Sequence, residues 1–118
     1  MNELVRVEIE EQRDGDVVIA RLTGELDIAI AESVGRKIAD AVPTSARGLV
    51  VDMSALDFMD SSGVSMLFGL NRQLGSRRQQ LRVVASAGGP VARVLEIVEF
   101  ARAAPVDRDV VAAIERIG

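Results

Sequence analysis

The chain has 118 residues, of which 48% are hydrophobic and 27% charged, a balance that excludes an intrinsically disordered chain and predicts one domain over residues 1–118. Its 14 basic and 18 acidic residues leave a net charge of −4 at pH 7, which disfavours direct binding to nucleic acid or to an anionic membrane. Cysteine and histidine are both absent, so disulfides, thiolate zinc sites and the commonest general base are excluded, and we expect no metal and no cofactor.

The hydrophobic segments are short. None approaches the roughly 20 apolar residues that a membrane-spanning helix requires. The acidic start Met1-Asn2-Glu3 lacks the basic region that opens a secretory signal. We therefore expect a cytoplasmic protein.

The first elements predicted along the chain are two strands. Val5, Val7 and Ile9 alternate with polar residues, and Val17 to Leu22 is a second short apolar run. Asp14-Gly15 lies between them and favours a tight turn, because glycine adopts positive φ without penalty. The pattern predicts an antiparallel pair.

A helix and a buried strand follow. Ile30, Val34, Ile38 and Val42 recur at every fourth position, which predicts a helix that ends at Pro43. Asp27 or a near neighbour is a candidate for its N-cap. The run Leu49 to Val51 is apolar on every residue and so predicts a central strand covered on both faces.

From Ser61 onward the spacing predicts a second helix. Its apolar side comprises Val64, Leu67, Phe68, Leu70 and Leu74. The residues predicted on the opposite, exposed side are Ser62, Ser65, Met66, Gly69 and Gln73. The last predicted elements are a strand over Leu81 to Ala85 and two helices. The inner positions of these helices are Val91, Val94, Leu95 and Val98 in the first, and Val106, Val110, Ile114 and Ile117 in the second.

This order of elements predicts an α/β fold. Strands and helices alternate after the opening hairpin, so the sheet should be mixed, with helical crossovers between parallel strands. We expect four to five strands, with about four helices packed mainly on one face.

The segment Asp60-Ser61-Ser62-Gly63 lies between the central strand and the second helix. Such a sequence is typical of a helix N-cap, and spacing by itself favours that interpretation. The start of a helix also accommodates a phosphate on a first-turn serine, because its N–H groups lack intrahelical partners. A phosphoserine beside Asp60 would add about −1.5 to −2 charges and could repel a partner.

Two motifs add a resemblance to these observations. Gly24-Glu25-Leu26-Asp27 and Leu56-Asp57-Phe58-Met59-Asp60-Ser61-Ser62-Gly63 resemble the two signatures of the STAS domain of bacterial anti-sigma-factor antagonists. The similarity continues through Leu81-Arg82-Val83-Val84 and Val91-Ala92-Arg93-Val94-Leu95, so it covers nearly the whole chain.

The resemblance implies a switch that works by changing protein partners. In that family an unphosphorylated antagonist binds an anti-sigma factor that is also a serine kinase, which frees a sigma factor for transcription. Phosphorylation by the kinase ends the interaction and a phosphatase restores it. The implied acceptor is Ser61, with Ser62 as the alternative. The implied partner-binding residues are Asp27, Asp60, Ser61, Ser62, Gly63, Ser65, Met66 and Gly69.

The chain departs from the family pattern at two places. Residues 28 to 31 lack a proline common near the first helix, and Val98-Glu99-Phe100 replaces a more usual glycine-containing turn. Both departures leave the acceptor motif intact.

Two other functions stay open at this point. The domain could be a constitutive scaffold subunit of a transporter or signalling complex, with the serine acting only as a cap. An enzymatic hypothesis would use Asp52, Asp57 and Asp60 with Ser61, although these spacings match no recognised metal loop. For the switch we expect a non-enzymatic protein that is a monomer or a weak dimer.

Overall fold

A computed structural model describes residues 5–118. In this range all strands belong to one five-stranded sheet, and the helices pack against it. The strands are β1 (Val5–Gln12), β2 (Val17–Leu26), β3 (Gly48–Met59), β4 (Gln80–Val84) and β5 (Val106–Asp107). The helices are α1 (Ala31–Ala41), α2 (Ser61–Ser76), α3 (Pro90–Ile97) and α4 (Val110–Arg116), with a short 3-10 helix over Phe100–Arg102. The acidic start Met1-Asn2-Glu3 lies outside the described residues.

The sheet is mixed, with strand order β1-β2-β3-β4-β5. β1 and β2 pair antiparallel through the predicted turn, where Asp14 and Gly15 have φ of 56° and 88°. The pairs β2–β3, β3–β4 and β4–β5 are parallel. β3 is the central strand, as its unbroken apolar run predicted, because parallel strands are joined by helical crossovers that cover both faces.

Helices cover the two faces of the sheet unequally. Val18, Ala20 and Leu22 of β2 point into a large core shared with α1, α2 and α3. Val17 and Ile19 point the other way, into a smaller core closed by α4. The prediction of helices mainly on one face is confirmed.

The predictions for the last third of the chain need two corrections. Val106 does not begin the last helix, since it lies in the two-residue strand β5 and α4 starts at Val110. Such a strand is too short for its alternation to be recognised. Val98 is exposed because α3 ends at Ile97 and helical periodicity no longer directs the next residue inward.

The turn near Phe100 differs from its neighbours in conformation. Glu99 has φ of +56°, in the left-handed region that glycine adopts at least cost, and it stands where the resemblance leads one to expect a glycine-containing turn. Phe100 is fully buried, and the centroid of its ring lies 5.0 Å from the centroid of the Phe68 ring. The unusual turn therefore delivers an aromatic anchor into the main core.

A buried carboxylate connects α4 to the sheet. Asp107, only 2% exposed, accepts two hydrogen bonds from Arg82, at 2.7 and 3.2 Å, and one from Arg116 at 2.6 Å. The pKa of Asp107 is lowered, with the hydrogen bond from Arg82 as its largest cause. This network ties β4, β5 and α4 together.

Candidate functional site

The two motifs meet at the ends of strands β2 and β3. The strands run parallel, and Leu26 pairs with Met59, so the residues that follow them leave the sheet side by side. The Asp60 N–H donates to the Leu26 carbonyl at 3.2 Å. Asp27 and Asp60, which are far apart in sequence, therefore lie at the same edge of the sheet.

Asp60 is the N-cap of α2, as the sequence predicted. Its carboxylate accepts a hydrogen bond from the Ser62 backbone N–H at 2.9 Å and another from the Ser62 hydroxyl. Several hydrogen bonds lower the pKa of Asp60, and the bond from the Ser62 hydroxyl has the largest effect. The carboxylate thus stays ionised beside the first turn of the helix.

The two candidate serines have different surroundings. The Ser61 side chain is exposed at the first position of α2, and its hydroxyl makes no hydrogen bond within residues 5–118. Ser62 is half-buried, and its hydroxyl already donates to Asp60. Of these two serines, Ser61 is the one whose hydroxyl faces solvent without a competing bond to another of residues 5–118.

Asp27 organises the loop that follows β2. Its carboxylate accepts from the Ala29 N–H at 3.0 Å, and its carbonyl accepts from the N–H groups of Ile30 and Ala31. The cap of α1 was predicted at Asp27 or a near neighbour, and Ile30 occupies the N-cap position without a side-chain cap bond, so Asp27 itself is not the cap. Asp27 lies one turn too early and stabilises the turn before the helix instead.

Gly63 and Met66 lie under the surface rather than on it. Both are buried, which corrects the prediction that Met66 lies on the exposed side of α2. The reason is α1, whose Gly35 lies so close that a Cβ there would be 2.8 Å from the Met66 Cγ. Periodicity within α2 cannot show where α1 packs. Ser65 is exposed and Gly69 is half-buried.

Gly63 lets the first turn of α2 approach the sheet closely. A Cβ at this position would lie 2.4 Å from the Met59 Cγ and 3.1 Å from the Leu26 Cδ2. We expect Gly63→Ala to lower the free energy of unfolding by about 1–2 kcal/mol through overpacking. Gly69→Ala is the matched control, because its Cβ meets only the Arg72 Nη2 at 3.9 Å, and it should raise stability through helix propensity. Equal effects in urea unfolding would contradict this.

Two exposed apolar residues lie close to the motif aspartates in sequence, and neither was predicted to be exposed. Ile28 is 81% exposed and follows Asp27, whereas Phe58 is 46% exposed and precedes the Met59–Asp60 step. An exposed large apolar side chain next to a functional motif is a candidate for contact with a partner. Their adjacency to the two motif aspartates was the available signal.

The acidic residues of the enzymatic hypothesis do not converge. Asp52 accepts hydrogen bonds from the backbone and side chain of Ser54 and lies 3.8 Å from Arg21, away from Asp60. Within residues 5–118 no three acidic side chains are grouped so that they could hold a metal ion. In the same range no helix has the length and apolar character needed to cross a membrane.

The chain is similar to known regulatory proteins in sequence. The family model described as STAS domain matches residues 8–113. The chain is 27% identical over 103 residues to an anti-sigma F factor antagonist of Paenibacillus polymyxa. The aligned region covers 86% of this chain and 87% of that protein. It is 29% identical over 77 residues to the anti-sigma-F factor antagonist RsfB of Mycobacterium tuberculosis, covering 65% and 61% respectively.

Solved structures share the fold. An anti-sigma factor antagonist from Mycobacterium paratuberculosis superposes with a TM-score of 0.85 at 24% identity, over 96% of this chain and 93% of that one. The antagonist SpoIIAA in its unphosphorylated form superposes with a TM-score of 0.70 at 27% identity, over 95% and 97%. Its phosphorylated form, from Bacillus, gives 0.68 at 25% identity, over 96% and 100%. The predicted fold class is confirmed.

Proposed function

The chain belongs to the STAS domain family, and from this premise we propose that it is an anti-sigma-factor antagonist controlled by phosphorylation of Ser61. While Ser61 is unphosphorylated, the protein binds an anti-sigma factor with serine-kinase activity and frees a sigma factor in the cytoplasm. Phosphorylation ends that interaction, and a phosphatase restores it. The observation that carries the proposal is the exposed Ser61 hydroxyl at the start of α2, next to Asp60 and at the sheet end where the two motifs meet.

The hydrogen bonds favour Ser61 over Ser62 as the acceptor. Phosphoryl transfer requires a hydroxyl that can approach the donor phosphate and lose its proton to a base of the kinase. The Ser62 hydroxyl would first have to leave the Asp60 carboxylate, which it helps to keep ionised. Ser61 needs no such rearrangement.

The surroundings of Ser61 explain how a phosphate would act as an off switch. The apolar side chain of Ile28 is exposed after Asp27, at the end of the sheet where Ser61 begins α2, so a partner that covers this surface also covers Ser61. A phosphoserine dianion enclosed there would lie near the ionised Asp60 and would lose its hydration. A penalty of about 1.4 kcal/mol already lowers affinity tenfold.

The position of Ser61 also allows the fold to survive modification. A negative charge on the first turn of a helix interacts favourably with the helix dipole and with N–H groups that lack intrahelical partners. SpoIIAA is similar to this chain in both its unphosphorylated and phosphorylated forms, with TM-scores of 0.70 and 0.68. These observations support a switch that changes the surface and leaves the core unaltered.

The test is phosphorylation in a purified system. The protein is incubated with ATP and each kinase-type anti-sigma factor encoded by the source organism, and phosphorylation sites are mapped by fragment mass spectrometry. We expect one phosphate, on Ser61, and release of the complex. Absence of modification by every such kinase would overturn the proposal. Stable recovery with a membrane transport subunit instead would favour the scaffold function.

A further inference from the structure

A cleft of about 630 Å³ opens between α1 and α2 directly beside the acceptor site. It begins at Ile28 and Ser62 and extends along both helices to Asp40 and Gln73. The cleft is therefore continuous with the surface proposed to contact the anti-sigma factor. Ser62 follows Ser61 directly, and Ile28 lies in the loop after β2, which ends beside the strand that leads to Ser61.

Small and apolar residues form the floor of the cleft. On α1 these are Ala31, Gly35 and Ala39, spaced four residues apart, so they align along one side of the helix. On α2 Gly69 contributes no side chain at all, and Met66 and Leu70 close the bottom. The floor is thus a trough that another apolar side could fill.

The dimensions and backbone chemistry of the cleft favour a helix as its occupant. Along α2 the lining runs from Ser62 to Gln73, and at 1.5 Å per residue this distance is about 16 Å, or three helical turns. The N–H and carbonyl groups of both walls are already used inside α1 and α2, so an extended segment would find no backbone partners. A helix satisfies its own backbone and needs only an apolar side.

The rim of α1 carries alternating charges. Glu32, Arg36 and Asp40 recur every fourth residue, and the first two form an exposed ion pair at 3.1 Å. Asp40 makes no ion pair with any of residues 5–118. A partner helix whose flank presents positive, negative and positive charges at the same spacing would be complementary to this rim.

We propose that the cleft between α1 and α2 receives one amphipathic helix of the anti-sigma factor, a mode of binding that rests on the function proposed above. The apolar side of that helix lies over Gly35, Met66 and Gly69, and its end lies beside Ser61. The cleft begins at the exposed Ile28, so the part of the partner helix beside Ser61 is apolar there. A phosphate on Ser61 therefore excludes that part of the helix. The cleft supplies the affinity and the serine controls access.

The test uses two glycines of the same helix. Gly69→Leu places a side chain in the cleft, where its Cβ meets only the Arg72 Nη2 at 3.9 Å, whereas a Cβ at the exposed Gly75 meets nothing within 4 Å. We expect Gly69→Leu to weaken binding of the kinase-type anti-sigma factor by at least about 30-fold, and Gly75→Leu by less than about twofold. Wild-type affinity in Gly69→Leu would overturn the inference.

A second measurement avoids dependence on the folding of the leucine variant. The chain contains no cysteine, so Gly69→Cys and Gly75→Cys each introduce a unique thiol. Saturating anti-sigma factor should slow maleimide labelling at position 69 at least about tenfold and leave position 75 unchanged, because only the cleft is covered. Equal labelling at both positions would overturn the inference, as would protection of position 69 by excess unlabelled wild-type chain, which would assign the cleft to a second copy.

The outcomes also separate this inference from the proposed function. If Gly69→Leu binds like the wild type while Ser61 is still phosphorylated and switches binding off, the function stands and the cleft is not the docking site. If the wild type and both leucine variants fail alike to bind, and Ser61 is not modified, the proposed function itself fails.

Discussion

Ser61→Asp is expected to lower affinity for the kinase-type anti-sigma factor by about 100-fold, equivalent to about 2.7 kcal/mol at 25 °C. The substitution places a permanent carboxylate beside the ionised Asp60, on the surface where we propose that the partner docks. Ser61→Ala should bind as tightly as the wild type and should stay bound after ATP is added, because it offers no acceptor.

Isothermal titration calorimetry with and without ATP measures both effects. The matched control is Ser62→Ala, which removes the hydrogen bond to Asp60 and keeps the acceptor, so it should still be phosphorylated and released. Thermal unfolding of Ser61→Asp should show an intact fold, since an acidic residue is favourable at a helix N-terminus. If Ser61→Ala is still phosphorylated once and released, the acceptor is Ser62.

Asp107→Asn is expected to lower the free energy of unfolding by about 3 kcal/mol. Asp107 is 2% exposed and accepts hydrogen bonds from two guanidinium groups, one of which belongs to Arg82, whose side chain is only 15% exposed. The amide would leave the Arg82 cation without an anionic partner in a largely buried position. The cost should appear in urea unfolding at neutral pH as a lower midpoint.

The pH dependence of this difference has a definite sign. Arg82 and Arg116 hold the pKa of Asp107 below its ordinary value of 3.8, so the folded state favours the ionised form. The stabilisation is therefore complete above the ordinary value and is lost as the pH falls through the lowered pKa. The stability gap between the wild type and Asp107→Asn should be constant near neutral pH and should narrow on acidification below about pH 4.

Arg116→Gln is the control for the contribution of the second guanidinium. The Arg116 side chain is 60% exposed, so its ion pair is screened by solvent and its loss should cost less than about 1 kcal/mol. A gap that widens on acidification would contradict the assignment, and so would equal destabilisation by Arg116→Gln and Asp107→Asn.

Local sequence patterns were sufficient for the elements whose signals are local. The alternation of Val5, Val7 and Ile9, the Asp14-Gly15 turn and the capping sequence at Asp60 each act within a few residues, so the strands, the turn and the start of α2 followed from sequence alone. The short strand β5 was missed because two residues carry no readable alternation. The order of the elements predicted the α/β class, and the resemblance added the STAS-like fold.

The candidate site was predictable only in part. Its motif residues were evident from the chain, but their juxtaposition depends on β2 and β3 ending at the same edge of the sheet. The burial of Met66 depends on the approach of α1 at Gly35. Periodicity within one helix reports its own apolar side and carries no information on which neighbour packs against it.

The sequence by itself determined the order of most elements, the central position of β3 and the acidic serine motif at the start of α2, because these follow from backbone preferences and short-range spacing. The structure added that the Ser62 hydroxyl donates to Asp60, whereas the Ser61 side chain is exposed. Only the tertiary structure decided the exposure of Ile28 and the cleft between α1 and α2, because both depend on contacts between segments that are distant in the chain or on the exact path of a loop.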